Sequence, residues 1–125
     1  MTIRYLDLEL LLAIVNEAGL EPVRDLGLLE SAAMRPRTSV FGRDAYPTID
    51  EKAAVLMESI VRNHPLLDGN KRLGWIAAKT FYSLNGIHLK APHDDAYDLV
   101  IGIAEGRISY QHSAATMAAW TSEPV

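Results

Sequence analysis

The sequence predicts an all-α fold, a single compact bundle of about six helices around a buried central helix. Three observations support this prediction. Apolar residues recur at helical spacing in six segments, residues that favour helix caps precede most of them, and no segment predicts a convincing sheet. The 125 residues suit one domain, 1–125, which would bury roughly two thirds of the surface of the unfolded chain.

Composition narrows the class of protein further. The absence of cysteine excludes disulfides and thiolate metal sites, and it suits a reducing, cytoplasmic compartment. A net charge of −4 argues against a basic face for direct nucleic-acid binding. The first apolar run, residues 8–15, is short and contains Glu9, so we expect neither a signal peptide nor a membrane span.

The first two helices are predicted from caps and spacing. Asp7 is suited to begin the first helix and Gly19 to end it. Asp25 is suited to cap a second helix that runs to about Met34, where Pro36 stops it. The predicted buried positions of these helices are Leu8, Leu11, Leu12, Val15, Leu28, Leu29, Ala32 and Ala33.

Residues 35–47 show neither helical nor strand periodicity, and with two prolines and a glycine they predict a loop or a short hairpin. The segment 48–51 fits a capping box, in which Thr48 bonds the amide of Glu51 and the Glu51 side chain reaches back. The helix that follows should end before His64, because Pro65 disfavours helical backbone at the preceding residue.

Three more helices are predicted in the second half. The fourth, residues 71–84, is apolar nearly all round, which indicates the central helix, and Asn85-Gly86 ends it. The fifth runs from Asp94-Asp95 to Gly106, and the sixth from Ser109 to about Thr121, followed by a frayed tail. Three histidines lack the spacing of zinc ligands and are expected on the surface: His88, His93 and His112.

Residues 64–72, H-P-L-L-D-G-N-K-R, concentrate the chemistry of the chain. A polar loop that leads into a helix leaves backbone N–H groups and the positive end of the helix dipole free for a phosphate. Lys71 and Arg72 add positive charge, Asp68 is an oxygen ligand suited to Mg²⁺, and His64 titrates near neutrality. Taken singly, each residue is more commonly structural, and D-G-N is a frequent turn. Together they predict phosphoryl or nucleotidyl transfer to a hydroxyl, with His64 as base.

The pattern H-x-x-x-D-G-N-K-R resembles the Fic/Doc superfamily, whose usual core is H-P-F-x-D-G-N-G-R. Pro65 and Gly69 are similar to the Fic branch, Lys71 is similar to the Doc branch, and Leu66 replaces the usual phenylalanine. The resemblance implies the same helical fold, His64 as general base, Asp68 as a magnesium ligand, and ATP with Mg²⁺ as cofactors. It also implies that the helix N-terminus binds phosphate.

Further roles were expected for the remaining motif residues. Gly69 would let a ligand approach the backbone closely, and Asn70 would bond a phosphate or sugar oxygen. Lys71 and Arg72 would bind the phosphates. Arg62, two residues before the histidine, is expected to contribute to the site, as the Doc resemblance implies.

The Doc resemblance implies a toxin of a toxin-antitoxin system. Lys71 favours a protein kinase that transfers the ATP γ-phosphate to a Thr or Ser hydroxyl of a translation factor, elongation factor Tu in the resembled branch, arresting translation. The alternatives are a Fic-type AMP (nucleotidyl) transferase acting on a protein hydroxyl and a non-catalytic nucleotide-binding module.

The resemblance also implies control by a partner. Many Fic proteins carry an inhibitory helix of pattern [S/T]-x-x-x-E-[G/N], but four residues before Glu105-Gly106 stands Ile101. We therefore expect inhibition in trans by a small, Phd-like antitoxin. The segment upstream of the core helix would form a flap for the target, with Phe41, Arg43 and Tyr46, and Phe41 and Tyr46 were expected to anchor the antitoxin.

Overall fold

The computed structural model describes residues 2–20 and 22–123, and over these ranges it contains six α-helices. The helices are α1 Leu8–Glu17, α2 Leu26–Met34, α3 Ile49–Asn63, α4 Asn70–Leu84, α5 His93–Ala104 and α6 Tyr110–Ala118. Four two-residue strands form two antiparallel pairs, β1 Ser39–Val40 with β2 Arg43–Asp44 and β3 His88–Leu89 with β4 Thr121–Ser122. The predicted all-α class is confirmed. In the described ranges, no helix combines the length and apolar character needed to cross a membrane.

The helix starts follow the predicted caps. The side chains of Asp7, Asp25, Thr48 and Ser109 each accept a hydrogen bond from a backbone N–H in the first turn that follows. The capping box differs in one bond, because the Thr48 hydroxyl donates to Glu51 Oε1 at 2.9 Å. Glu51 thus contacts the hydroxyl of Thr48, where the prediction had it reach back to the backbone.

Helix α2 ends at Met34, as predicted, and residues Arg35–Arg37 add a 3₁₀ turn after it. One predicted end needs correction. Helix α6 ends at Ala118, three residues early, since residues 121–122 pair with β3 and the Lys90 N–H donates to the carbonyl of Trp120. The prediction of a frayed tail after residue 121 is therefore wrong for Ser122, and its last two residues, 124 and 125, lie outside the described ranges.

The central helix is α3, whereas the sequence indicated the helix at 71–84. Every residue from Lys52 to Val61 is buried, and α3 packs against α2, α4, α5 and α6. Helix α4 is buried on one side and exposes Lys71, Arg72 and Lys79. The prediction failed because α3 carries polar residues that bury their side chains among internal partners.

Most of those partners come from the segment that precedes α3, residues 35–44. Lys52, 1% exposed, donates from Nζ to the Pro36 carbonyl at 3.3 Å and pairs with Asp44 at 3.2 Å. Glu58 pairs with Arg35 at 2.9 Å and with Arg62 at 3.3 Å. Burial alone would lower the pKa of Arg35, but hydrogen bonds with Tyr46 and Glu58 outweigh it and raise that pKa. In the described ranges, every buried side-chain nitrogen or oxygen has a partner.

Helices α3 and α4 meet at a glycine. A Cβ added at Gly74 would lie 2.5 Å from Val61 Cγ1, so only a glycine lets the two backbones come this close. This contact lies one turn into α4 and close to the end of α3. It therefore fixes the spacing between the two helix ends that the loop 64–69 joins.

Candidate active site

His64 stands at the end of α3 with its side chain exposed. Its backbone is left-handed, with φ 53° and ψ 60°, and its N–H donates to the Ile60 carbonyl at 3.3 Å. Few residues other than glycine adopt this conformation. The helix therefore ends before Pro65, as predicted, and the turn presents the imidazole at the surface.

Asn70 lies inside the loop, 7% exposed, and its amide organises the backbone. Its Oδ1 accepts from the Leu66 N–H at 2.9 Å, and its Nδ2 donates to the Leu66 carbonyl at 3.1 Å. These two bonds fix which amide atom is which. Nδ2 also lies 3.4 Å from His64 Nδ1, which accepts a hydrogen bond from it only in the tautomer that leaves Nδ1 unprotonated. The structure thus uses this amide to hold the loop, while its expected bond to a phosphate or sugar oxygen stays a prediction.

Gly69 precedes α4 with φ 89° and ψ 14°, a left-handed conformation that favours glycine. A Cβ here would lie 3.2 Å from Leu20 Cδ2. The backbone conformation favours the glycine, and a side chain added there would meet the protein's own Leu20. No side chain caps α4 in the described structure, so the first-turn N–H groups are left to bind an anion.

Asp68 is exposed on the outer side of the loop. One carboxylate oxygen, Oδ1, accepts from the Gly69 N–H at 2.8 Å, which leaves Oδ2 for another partner. Mg²⁺ is commonly held by one or two carboxylates together with phosphate oxygens and water. A single exposed carboxylate beside an uncapped helix N-terminus fits that mode of binding.

Lys71 and Arg72 occupy the first turn of α4 and are exposed. In the part of the chain that the structure describes, neither side chain forms a hydrogen bond or an ion pair within the protein. Both line a cavity of about 380 Å³, whose other walls come from α4 and α5: Trp75, His93, Ala96, Tyr97, Val100 and Ile101. Two cations therefore stand beside a largely apolar wall.

Arg62 lies two residues before the histidine but directs its guanidinium elsewhere. Nε donates to the Ile103 carbonyl at 2.8 Å, Nη2 donates to the Ile108 carbonyl at 2.9 Å, and Nη1 pairs with Glu58. Two of these nitrogens thus join α3 to α5 and to the turn after it, and the third forms an ion pair within α3. The structure therefore uses Arg62 to join elements of the bundle, while its expected part in the site stays a prediction.

The expected flap is a hairpin, β1–β2, with Phe41 and Gly42 at its tip. Phe41 is fully exposed and left-handed, with φ 52°, and Arg43 lies in β2 with its side chain exposed. Tyr46 follows the hairpin and is half-buried. It accepts a hydrogen bond from Arg35 at 3.3 Å, and its ring packs edge-on against Tyr110. Of the two expected anchors for a partner, Phe41 is exposed and Tyr46 is packed into the bundle.

Sequence reasoning missed the segment that supports the loop from behind. Residues 22–25 run alongside residues 65–67, with N–H groups of Arg24 and Asp25 donating to the Pro65 carbonyl at 2.7 and 3.1 Å. The Leu67 N–H donates to the Pro22 carbonyl at 3.1 Å. No periodicity signals this pairing, because it joins two irregular segments about forty residues apart in the chain.

The loop brings together an exposed imidazole, a carboxylate oxygen and an uncapped helix N-terminus flanked by two cations, and it is the candidate active site. The model of the Fic/DOC family matches residues 5–82, more than half of the chain and including the whole loop. The chain therefore belongs to the Fic/DOC family. Its members are transferases.

One relative covers nearly the whole chain. The protein is 43% identical over 122 residues to Toxin Doc of Mycolicibacterium smegmatis, a match that spans 94% of this chain and 94% of the relative. Within the family, the protein is thus a Doc-type toxin. The resemblance inferred from residues 64–72 is confirmed.

Proposed function

We propose that this protein is a kinase toxin of a toxin-antitoxin system, which transfers the γ-phosphate of ATP to a Thr or Ser hydroxyl of a translation factor. The observation that carries the proposal is the free charge of Lys71 and Arg72 beside an uncapped helix N-terminus, next to an exposed histidine. Elongation factor Tu is the proposed target, on the basis of the Doc resemblance.

In this proposal His64 is the general base. Its ring is exposed, so a hydroxyl of a second protein has access to it, and Asn70 contacts only Nδ1. To take the proton from the incoming hydroxyl, Nε2 must be the unprotonated nitrogen. Nδ1 then carries the proton of the neutral ring, and its contact with Asn70 Nδ2 is a packing contact and not a hydrogen bond. A general base must lie within hydrogen-bond reach of the hydroxyl whose proton it takes. No covalent intermediate with the protein is needed, since phosphoryl transfer depends mainly on positioning and charge neutralisation.

The phosphates would lie at the start of α4. The N–H groups of the first turn, Lys71 and Arg72 would neutralise their charge, and Asp68 would hold Mg²⁺ through its free oxygen. Bound magnesium supplies further neutralisation of phosphate charge. The cavity beside the two cations has an apolar wall that includes Trp75, which suits the nucleoside.

Lys71 favours transfer of the γ-phosphate of ATP over transfer of AMP. In Fic-type AMP transferases the resembled position is a glycine, while Lys at this place accompanies γ-phosphate transfer in the Doc branch. The Lys71 side chain is exposed and, in the described ranges, forms no hydrogen bond or ion pair within the protein, so its ammonium is available to a phosphate. Pro65 and Gly69 are similar to the Fic branch, so AMP transfer is the second candidate, and a non-catalytic nucleotide-binding module is the third.

Control would come from a separate antitoxin, Phd-like by the resemblance. Glu105, in the sequence's one E-G pair, forms an ion pair with Arg107 at 2.8 Å on the surface after α5. A disordered segment that folds on binding suits a small bundle such as this one.

The test uses ATP labelled at one phosphate at a time. With γ-labelled ATP, Mg²⁺ and purified elongation factor Tu, we expect label on the factor, and with α-labelled ATP we expect none. Label from the α position would establish nucleotidyl transfer in place of kinase activity. Nucleotide binding without transfer from either position to any protein of a bacterial lysate would support the binding module.

A growth assay addresses the toxin directly. Expression of the chain alone in a bacterial host should arrest growth, and the His64→Ala variant at the same level should not. Co-expression of the small open reading frame next to the gene should relieve the arrest. Growth at high levels of folded wild-type protein would contradict the toxin proposal.

A further inference from the structure

Arg24 lies in the connector between α1 and α2, outside the motif and forty residues before His64. Its Nε donates to the His64 carbonyl at 2.9 Å, and its Nη2 donates to the Asn63 carbonyl at 3.2 Å. Its backbone N–H donates to the Pro65 carbonyl at 2.7 Å. One residue thus binds three consecutive carbonyls, with that of His64 in the middle.

These carbonyls need an outside partner. They lie at the C-terminus of α3, where carbonyls have no intrahelical donor and carry the negative end of the helix dipole. The chain cannot continue as a helix, because Pro65 has no N–H to donate and disfavours helical backbone before it. A guanidinium fork satisfies two neighbouring acceptors and places a positive charge at this end of the helix.

The left-handed backbone of His64 is therefore held on three sides. Ile60 accepts from its N–H, Arg24 donates to its carbonyl, and Asn70 contacts its ring. Of these three, Arg24 alone comes from a distant part of the chain. The direction of the Cα–Cβ bond, and hence of the imidazole, follows from this backbone conformation.

We propose that Arg24 is a positioning residue, which holds His64 in the conformation that presents its imidazole to the substrate hydroxyl. The proposal rests on the proposed role of His64 as general base. Arg24 binds only backbone carbonyls at this site, so its removal should misplace the base and leave the nucleotide contacts at the start of α4 intact.

The experiment compares Arg24→Ala and Arg24→Lys with Arg107→Ala. Arg107 is a matched control because it is an exposed arginine whose ion pair, with Glu105, lies away from the loop. For each protein, kcat and the KM for ATP are measured, together with the NMR chemical shifts of His64 and the melting temperature. The backbone shifts report the left-handed conformation independently of activity.

For Arg24→Ala we expect kcat to fall by about tenfold or more, because misplaced reacting groups lose much of their rate. The KM for ATP should change by less than about twofold, since ground-state binding is untouched. The His64 shifts should move away from left-handed values. Arg24→Lys should give an intermediate kcat, because one ammonium cannot replace the fork. Arg107→Ala should match wild type in every readout.

Unchanged His64 shifts in Arg24→Ala would overturn the inference, as would an unchanged kcat in an active wild-type background. A rise in KM equal to the loss in kcat/KM would also overturn it, because Arg24 would then act on nucleotide binding. If the wild-type protein transfers no label, the proposed function fails by itself, and the His64 shifts alone decide whether Arg24 holds the histidine. Should Arg24→Ala melt below the assay temperature, Arg24→Lys carries the same comparison.

Discussion

Two groups of cations lie within a few turns of one another and are used in opposite ways. In α3, Lys52 and Arg62 donate hydrogen bonds to carbonyls of the protein and form ion pairs with its carboxylates. At the start of α4, Lys71 and Arg72 are exposed, and in the described ranges they form no hydrogen bond or ion pair within the protein. The first group joins helices, and the second is free to bind a ligand.

The difference teaches that closeness to a motif in sequence does not decide a role. Arg62 lies two residues from His64 and serves the bundle, whereas Arg24 lies forty residues away and holds the histidine. What separates the groups is whether the donors already have acceptors. A cation with its hydrogen bonds complete gains little from a phosphate, while one held in water has its charge available.

The largest expected effect tests the histidine itself. His64→Ala should lower kcat by about 10²–10⁴-fold, the usual contribution of a general base, with an unchanged melting temperature because the side chain is exposed. The measurement is γ-phosphate transfer under saturating ATP. The matched control is His112→Ala, which removes an exposed histidine from α6. Equal transfer rates for the two variants would remove His64 from the mechanism.

Next in size is the loss of a joining cation. Arg62→Ala leaves Glu58 with one partner and removes a donor from the carbonyls of Ile103 and Ile108, of which that of Ile103 keeps the Gly106 N–H. We therefore expect a loss of about 1–3 kcal/mol in the free energy of unfolding. Denaturant titration measures it, with Lys71→Ala as the control. A stability equal to that of the control would show that the Arg62 contacts contribute nothing.

A smaller effect is expected at the proposed magnesium ligand. Asp68→Ala should weaken Mg²⁺-ATP binding by about tenfold, the equivalent of one charge-assisted contact, and should leave binding of metal-free ATP nearly unchanged. Calorimetry with and without Mg²⁺ separates these terms. Asp68→Asn keeps the acceptor for the Gly69 N–H and serves as the control for loop structure. Equal losses with and without metal would assign Asp68 to the loop alone.

The smallest effect concerns a polar contact that belongs wholly to the bundle. The Tyr82 hydroxyl donates to Asp50 at 2.6 Å, and burial together with this bond raises the pKa of Tyr82 above its usual range. Because the unfolded phenol ionises at about pH 10 and the folded one does not, stability should fall as pH rises above that value.

Tyr82→Phe should lower the free energy of unfolding by about 1 kcal/mol at neutral pH and flatten this alkaline decline. Unfolding followed from pH 7 to 11 measures both, with Tyr97→Phe, at an exposed position of α5, as the control. A decline of the same slope in Tyr82→Phe would place its cause elsewhere.

The sequence predicted the parts of this molecule that depend on local chemistry. The caps at Asp7, Asp25, Thr48 and Ser109 act within three residues, and Pro65 acts on its neighbour, so spacing alone was enough to place the helix starts and the end of α3. The loop at 64–70 was likewise located from its residue types and from the resemblance.

What the sequence did not predict depends on distant partners. From the sequence alone, the polar residues Lys52 and Glu58 of α3 are expected at the surface. They are buried because Pro36 and Asp44 accept from Lys52 and Arg35 pairs with Glu58. The same holds for β3 and β4, which have two residues each and pair across more than thirty residues of chain. Arg62 carries a side chain expected of a phosphate ligand, and only the fold shows that its donors already have acceptors in α5 and the turn after it.

The rise in melting temperature on addition of nucleotide most directly tests whether Lys71 and Arg72 bind a ligand while Arg62 only joins elements of the bundle. A ligand that binds the folded state raises the melting temperature, and at a given concentration a tighter ligand raises it more. Mg²⁺-ATP should therefore raise the melting temperature of wild type. It should raise that of Arg62→Ala by a similar amount from a lower start, and should leave Lys71→Ala/Arg72→Ala nearly unshifted. A full shift in the double variant, together with none in Arg62→Ala, would contradict the account.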